Sequence, residues 1–324
     1  MRKSLSLAAV ALASALALTA CGTSSEEPST DEGASDTTEL TPVTVGVIPI
    51  VDVAPIYLGV EEGFFEEQGL DVTLELAQGG AAIVPAVVSG EYEFGFSNVT
   101  SLLLATYNDV PLKAVAAGVF STGTDPDFGG VAVLDDSDIE SPADLAGRTV
   151  AVNTLNNIGD STIRYAVEQD GGDPSDIDFV EMGFPDMPAA LAAGQVDAAW
   201  ILEPHLTRAL LPGARVVSWN YVETDPDLMI AAYFTSQDFA SSNPDVVEGF
   251  VAALQASFEL ASSDPAVVAD ILDTYTDIDP EVKDAMTLPR FESEFSEDTV
   301  ALLADLALQY GLVDEEIDYS ALLP

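Results

Sequence analysis

The chain reads as an α/β protein of two lobes joined by two crossing hinge segments. Three observations predict this. Residues 41–75 (TPVTVGVIPIVDVAPIYLGVEEGFFEEQGLDVTLE) spell a strand, a loop, a helix and a second strand. A similar unit restarts at residue 148 after a turn-rich break. A length of 324 residues with 48% apolar residues is enough for about two cores.

Residues 43–48 are β-branched and short, as a buried strand requires. Pro55 suits a first helical turn, where its missing N–H costs nothing, and Gly63 and Gly69 are stop signals. Residues 71–76 (DVTLEL) alternate as a strand. A right-handed crossover places the loop between them at the carboxyl end of the first strand, where open α/β sheets bind ligands. A helix is expected over 81–89 and a strand over 91–96, ending at the helix caps Ser97 and Asn98. A helix over 99–107 and a strand over 112–119 complete the first run. The first crossing is placed at 121–130 (STGTDPDFGG).

In the second lobe, Ser141 and Pro142 open a helical turn. Strands are expected over 131–134, 148–153, 177–180 and 216–219, with a helix over 161–169. Residues 194–200 turn into a strand that delivers Trp200, followed by Glu203, Pro204 and His205. The strand over 229–235 is read as part of the second crossing, 223–235. Helical pieces after Pro244, Pro265, Pro280 and Glu297 form the tail. Lobe 1 is thus expected over 42–120 and 236–324, and lobe 2 over 131–222.

The segment "GVEEGFFEEQGLDV" after a strand and a Pro/Tyr loop resembles the start of solute-binding proteins of ABC importers. "LAGRTVAVN" and "LAAGQVDAAW" followed by Glu-Pro are similar to later segments of the same group. Within it, the resemblance is to the nitrate/sulfonate/taurine binders, which also include binders of thiamine pyrimidine precursors, and it covers about residues 41–320. It implies a type II periplasmic-binding-protein-like fold and a ligand captured between the lobes. It also implies a permease with its ATPase as partners, and no catalytic role. The carry-over of cleft residues falls on Asp52, Tyr57, Ser97, Asn98, Thr100, Asn157, Trp200 and Glu203. Two enzymes share the resembling fold; one uses histidine and several cysteines, the other a cysteine nucleophile. His205 is the only histidine here and Cys21 the only cysteine.

Arg2, Lys3 and the apolar run 5–18 form a targeting segment too short to span a membrane. Leu18-Thr19-Ala20-Cys21 resembles a bacterial lipobox. It implies removal of residues 1–20 and lipidation of Cys21, holding the protein on the extracytoplasmic face. Residues 21–41 are rich in Ser, Thr, Asp and Glu, a flexible tether unable to form a core. A monomer is expected, without cofactor or metal.

Binding is read from strand-to-helix turns, which aim backbone N–H groups and positive dipole ends into one cleft. The turns are at residues 52–55, 97–100, 156–160 and 203–204. Each candidate has a plainer role too: Ser97 and Asn98 as caps, Tyr57 and Trp200 as core, Asp52 as a turn residue. A sulfonate or nitrate could be held by N–H groups and hydroxyls, with Arg164 as the nearest basic residue. Asp52, Asp160 and Glu203 would instead welcome a neutral or cationic nitrogenous aromatic stacked on Tyr57 or Trp200.

Nine Lys and Arg face 56 Asp and Glu, a net charge of −47. Such a surface repels nucleic acid and anionic membranes. It is either a solvated acidic exterior or an adaptation to high salt. The second reading expects the melting temperature to climb steeply from dilute buffer to molar salt; a flat profile in differential scanning calorimetry leaves only the first.

Overall fold

The computed structural model describes residues 39–324, which form one compact unit. The expected targeting segment, the lipidated Cys21 and nearly all of the tether lie outside these residues.

The strands are β1 (Thr41–Val47), β2 (Leu70–Leu76), β3 (Phe94–Asn98), β4 (Leu112–Phe120), β5 (Gly129–Leu134), β6 (Thr149–Val152), β7 (Asp178–Glu181), β8 (Ala198–Leu202), β9 (Ala214–Ser218), β10 (Met229–Ser236) and β11 (Arg290–Phe291). The helices are α1 (Ala54–Glu61), α2 (Phe64–Glu67), α3 (Gly80–Ser89), α4 (Val99–Tyr107), α5 (Ile158–Gln169), α6 (Met187–Ala192), α7 (His205–Leu210), α8 (Asn220–Thr224), α9 (Gln237–Ser242), α10 (Pro244–Ser263), α11 (Pro265–Ile271), α12 (Pro280–Ala285) and α13 (Glu297–Gln309).

Two sheets result. The first has the order β11-β4-β10-β3-β1-β2, the second β7-β6-β8-β5-β9. In each, a parallel group (β2, β1, β3; β7, β6, β8) continues into antiparallel strands. The carboxyl ends of β1, β3, β6 and β8 feed the turns that sequence reading singled out.

Four elements differ from expectation. The strand expected at 91 begins at Phe94, because the preceding residues close α3. Gly90 is left-handed (φ 76°), and the N–H groups of Glu91 and Tyr92 both donate to the Ala86 carbonyl. The second crossing is shorter than 223–235. Residues 229–236 are not a hinge: β10 lies inside the first sheet, antiparallel between β3 and β4. The first crossing is shorter too, since Gly129 and Gly130 already pair with Leu202 and Ile201 in β5. Finally α5 starts at Ile158 rather than Ser161, because Asn157 is extended and accepts from the Ile158 N–H.

Helix α10 seals the first sheet. Its buried residues Phe250, Ala253, Leu254, Ser257, Phe258 and Ala261 recur at helical spacing and make one apolar face. Phe250 stacks on Phe94 of β3 (centroids 3.9 Å apart, planes 5° apart) and also packs on Phe65 and Tyr233. Gly59 lets α1 cross α10 closely, since a Cβ there would lie 2.1 Å from Ser257 Oγ. Phe250→Ala should cost about 3–5 kcal/mol of unfolding free energy. Urea denaturation checks this; a loss within the error of the method would mean the stack is not what joins α10 to the sheet.

Candidate functional site

The turns after β1, β3, β6 and β8 meet between the two sheets, and contacts there already join the two halves. Asn157 Nδ2, at the start of α5, donates to Ser101 Oγ of α4 at 3.0 Å. The Val51 N–H donates to the Glu203 carbonyl at 3.0 Å, and His205 Nε2 lies 3.1 Å from the Pro49 oxygen. On the flank, Tyr310 and Gln309 donate to Glu168. A cleft of about 340 Å³ opens beside the Ser101–Asn157 contact, lined by Gly80, Val84 and Pro85 of α3 and by Thr154 and Leu155 of the facing turn.

Asp52 sits in a short 3-10 turn (Val51–Val53) directly after β1 and is 2% exposed. Its Oδ1 has no protein partner. Burial pushes its pKa up to about 7, and the nearby Asp127 adds to the rise. Ser97 and Thr100 are fully buried at the β3–α4 turn, and both hydroxyl oxygens are unpartnered. Trp200 Nε1 and the Tyr233 hydroxyl are likewise buried without a partner. Buried polar atoms are nearly always paired. Such a concentration at the meeting of four turns makes this the candidate site.

The other candidates are committed within the protein. Asn98 Oδ1 accepts from the Ser101 N–H, so this side chain caps α4. Tyr57 stacks face to face on Tyr275, 4.0 Å between centroids, which covers one face of its ring. The Trp200 ring is wedged edge-on against Phe184 and Tyr221, at 5.5 and 5.6 Å, so it is core with only its N–H unused. Arg164 turns away, donating to the Pro174 carbonyl and lying over the Phe179 ring.

Glu203 is not an open carboxylate at a helix mouth. Oε2 accepts from the Thr207 N–H (3.0 Å), and Oε1 accepts from the Thr207 hydroxyl (2.7 Å) and the Thr287 N–H (3.3 Å). It ties α7 to the segment after α12. Three donors offset its burial only in part, and its pKa is pushed up to about 7. His205 is pushed down to about 4 by burial.

Sequence reading missed Asp127, Tyr221, Tyr233 and Tyr275. Asp127 hides in the turn-rich first crossing. Its carboxylate accepts from Ser121 Oγ (2.7 Å) and from the N–H groups of Thr122 and Phe128 (3.0 and 2.8 Å). Tyr233 lay in the strand taken for a crossing, and Tyr275 in the tail. Only the Asp-Pro-Asp run offered a signal, since Asp is a turn residue whose side chain bonds nearby backbone.

Glu203 titrates higher in the folded chain than the ordinary value of 4.5. The folded state therefore holds this proton more tightly than the unfolded chain does. The stability so gained is complete below pH 4.5 and is lost as pH rises through about 7. The drop is roughly 3 kcal/mol between pH 4 and pH 8. Glu203→Gln should flatten the fall in urea-measured stability across this range; an unchanged slope would remove Glu203 from the titrating set.

Residues 50–267, more than half of the chain, match the family model described as NMT1/THI5 like. Among curated proteins the chain is 29% identical to the formylaminopyrimidine-binding protein of Halalkalibacterium halodurans over 143 residues, covering 44% of this chain and 41% of that one. It is 24% identical to the taurine-binding periplasmic protein of Escherichia coli K12 over 193 residues, 58% and 56% of the two chains. The chain thus spans about half the length of these two relatives. A 4-amino-5-hydroxymethyl-2-methylpyrimidine phosphate synthase of Aspergillus parasiticus is 23% identical, covering 75% and 72%. Among solved structures, the alkanesulfonate-binding protein of Xanthomonas axonopodis pv. citri superposes with a TM-score of 0.74 at 19% identity, over 88% of this chain and 99% of that one. That likeness establishes the fold as that of periplasmic binding proteins, with mixed sheets on either side of a cleft. By the extent of the family match, the chain belongs to the NMT1/THI5-like family.

Proposed function

We propose that this chain is the extracytoplasmic solute-binding component of an ABC importer. It captures a small organic solute between its two lobes and hands it to a membrane permease driven by an ATPase. The observation that carries this reading is the set of buried, unpartnered polar atoms where four strand-to-helix turns meet: Asp52 Oδ1, Ser97 Oγ, Thr100 Oγ1, Trp200 Nε1 and the Tyr233 hydroxyl. They offer both donors and acceptors to a solute that excludes water from the seam. Relatives named for taurine and formylaminopyrimidine binding support the role. The solute is accordingly of the pyrimidine-type heteroaromatic or the sulfonate class.

Lobe 1 carries the first sheet and the C-terminal helices; lobe 2 carries the second sheet. The passages near residues 121–128 and 225–228 serve as the hinge. Closure follows differential affinity of the solute for the two arrangements. The mature protein is a monomer held to the membrane by acyl chains on Cys21, with residues 21–41 as its tether.

The synthase relative raises catalysis as a second reading. It fits the residues less well. The single histidine, His205, is buried against the Pro49 carbonyl, and the single cysteine, Cys21, is taken up by the lipid anchor in this reading. We expect no turnover of a bound solute.

Native mass spectrometry of the purified protein tests the main reading. The expected result is a retained adduct of small mass that is lost on denaturation. A protein with no adduct, unmoved in a thermal-shift panel covering both solute classes, would count against solute capture.

A further inference from the structure

We propose that the site selects a solute carrying a positively charged or N–H-donating nitrogen, which takes the free Oδ1 of Asp52, and that it rejects nitrate- and sulfonate-type anions. This rests on the reading of the chain as a solute-binding protein.

The argument starts from what surrounds Asp52. Its own backbone N–H supports the carboxylate, and Oδ1 is left over, buried and without a protein partner. Asp127 faces it from the first crossing. That second carboxylate is filled by three donors, from Ser121, Thr122 and Phe128, so it contributes negative potential without being free to bind. The hydroxyls of Tyr221 on α8, Tyr233 on β10 and Tyr275 after α11 all feel the charge of Asp52, and each is held in its neutral form by burial. Tyr57 stands behind Tyr275.

No Lys or Arg is buried among the described residues. Arg164 is spent on Pro174, and Arg208 on the Asp277 carbonyl. An anion here would meet two carboxylates and no cation, with only neutral donors to offset the repulsion. A nitrogen cation would meet an available acceptor and the negative faces of aromatic rings.

The choice of ligand charge has a measurable sign. Asp52 stands at about 7 because burial favours its neutral form. A cationic or N–H-donating partner favours the ionised form, so capture expels up to about one proton below neutral pH. Affinity for a permanent cation then weakens as pH falls below about 7, by up to about tenfold per pH unit. An anion at the same place would favour the neutral carboxyl and take a proton up.

Isothermal titration calorimetry in two buffers of different ionisation enthalpy reads this directly. The probes are N-methylpyridinium, 4-aminopyrimidine and methanesulfonate, with Asp52→Asn as the variant. The expected result is binding of at least one nitrogen probe with proton release, no binding of methanesulfonate, and a loss of about 10- to 100-fold in the variant. Binding of methanesulfonate, proton uptake, or a variant within twofold of the parent overturns the proposal while leaving solute capture intact. Should Asp52→Asn not fold, the proton count on the unaltered protein decides. A folded protein that binds none of the three probes also overturns the proposed class, and solute capture is then judged by the retained mass alone.

Discussion

Four carboxylates, those of Asp52, Asp127, Asp160 and Glu203, are taken out of water in the seam between the sheets, with no buried Lys or Arg beside them among the described residues. Removing a charge from water is costly unless donors replace the water or the group takes up a proton. This constraint shapes the local backbone. Asp127 bends the first crossing around itself to collect Thr122 and Phe128. Asp160 collects the Asn156 N–H, which fixes the turn ahead of α5. Glu203 collects Thr207 and Thr287, and in doing so pins α7 to the C-terminal segment. Donors do not offset burial in full, and all four carboxylates titrate above their ordinary values.

The four groups therefore divide by how fully they are satisfied. Asp127 and Glu203 each accept from three protein donors; the first fastens the first crossing, and the second ties α7 to the segment after α12. Asp52 and Asp160 each keep one buried oxygen without a partner. The same division runs through the hydroxyls and amides: Asn157 is spent on bridging the halves, whereas Ser97 and Thr100 are not spent at all. A side chain's place at the end of a strand says that it borders the cleft. Its hydrogen-bond account says whether it is already spent on the fold.

Most of the architecture was legible in the chain. Helix α4 runs over the expected residues, because Asn98 caps it and the Asn108–Asp109 turn ends it. The unit 41–75 folds as the alternation of residues indicated, with Gly63 and Gly69 in the left-handed conformation that stops a helix. What failed was local pattern used for a long-range question. β10 is buried along almost its whole length, and its apolar run looked the same whether the strand crossed between lobes or joined a sheet. For the candidate site, strand ends pointed to turns that meet between the sheets, but residue type could not separate Asp52 from Glu203. Their difference lies in Thr207 and Thr287, and Thr287 is 84 residues further along the chain. Tyr221, Tyr233 and Tyr275 were invisible for the same reason: each is brought to Asp52 from a separate element.

The position of β10 carries a consequence for how the molecule is made. β3 and β4 do not touch as a ladder; the slot between them belongs to β10, and Thr235 reaches back 142 residues to the Glu93 carbonyl. A nascent chain that has completed β1 to β4 holds a three-stranded group and a lone strand, since both partners of β4 are encoded after the entire second sheet. Exposed edges of this kind invite pairing with other chains. The second half is contiguous in sequence, and its sheet brings the two ends of its own segment back to that slot. The first sheet therefore cannot be closed until every strand of the second has been made.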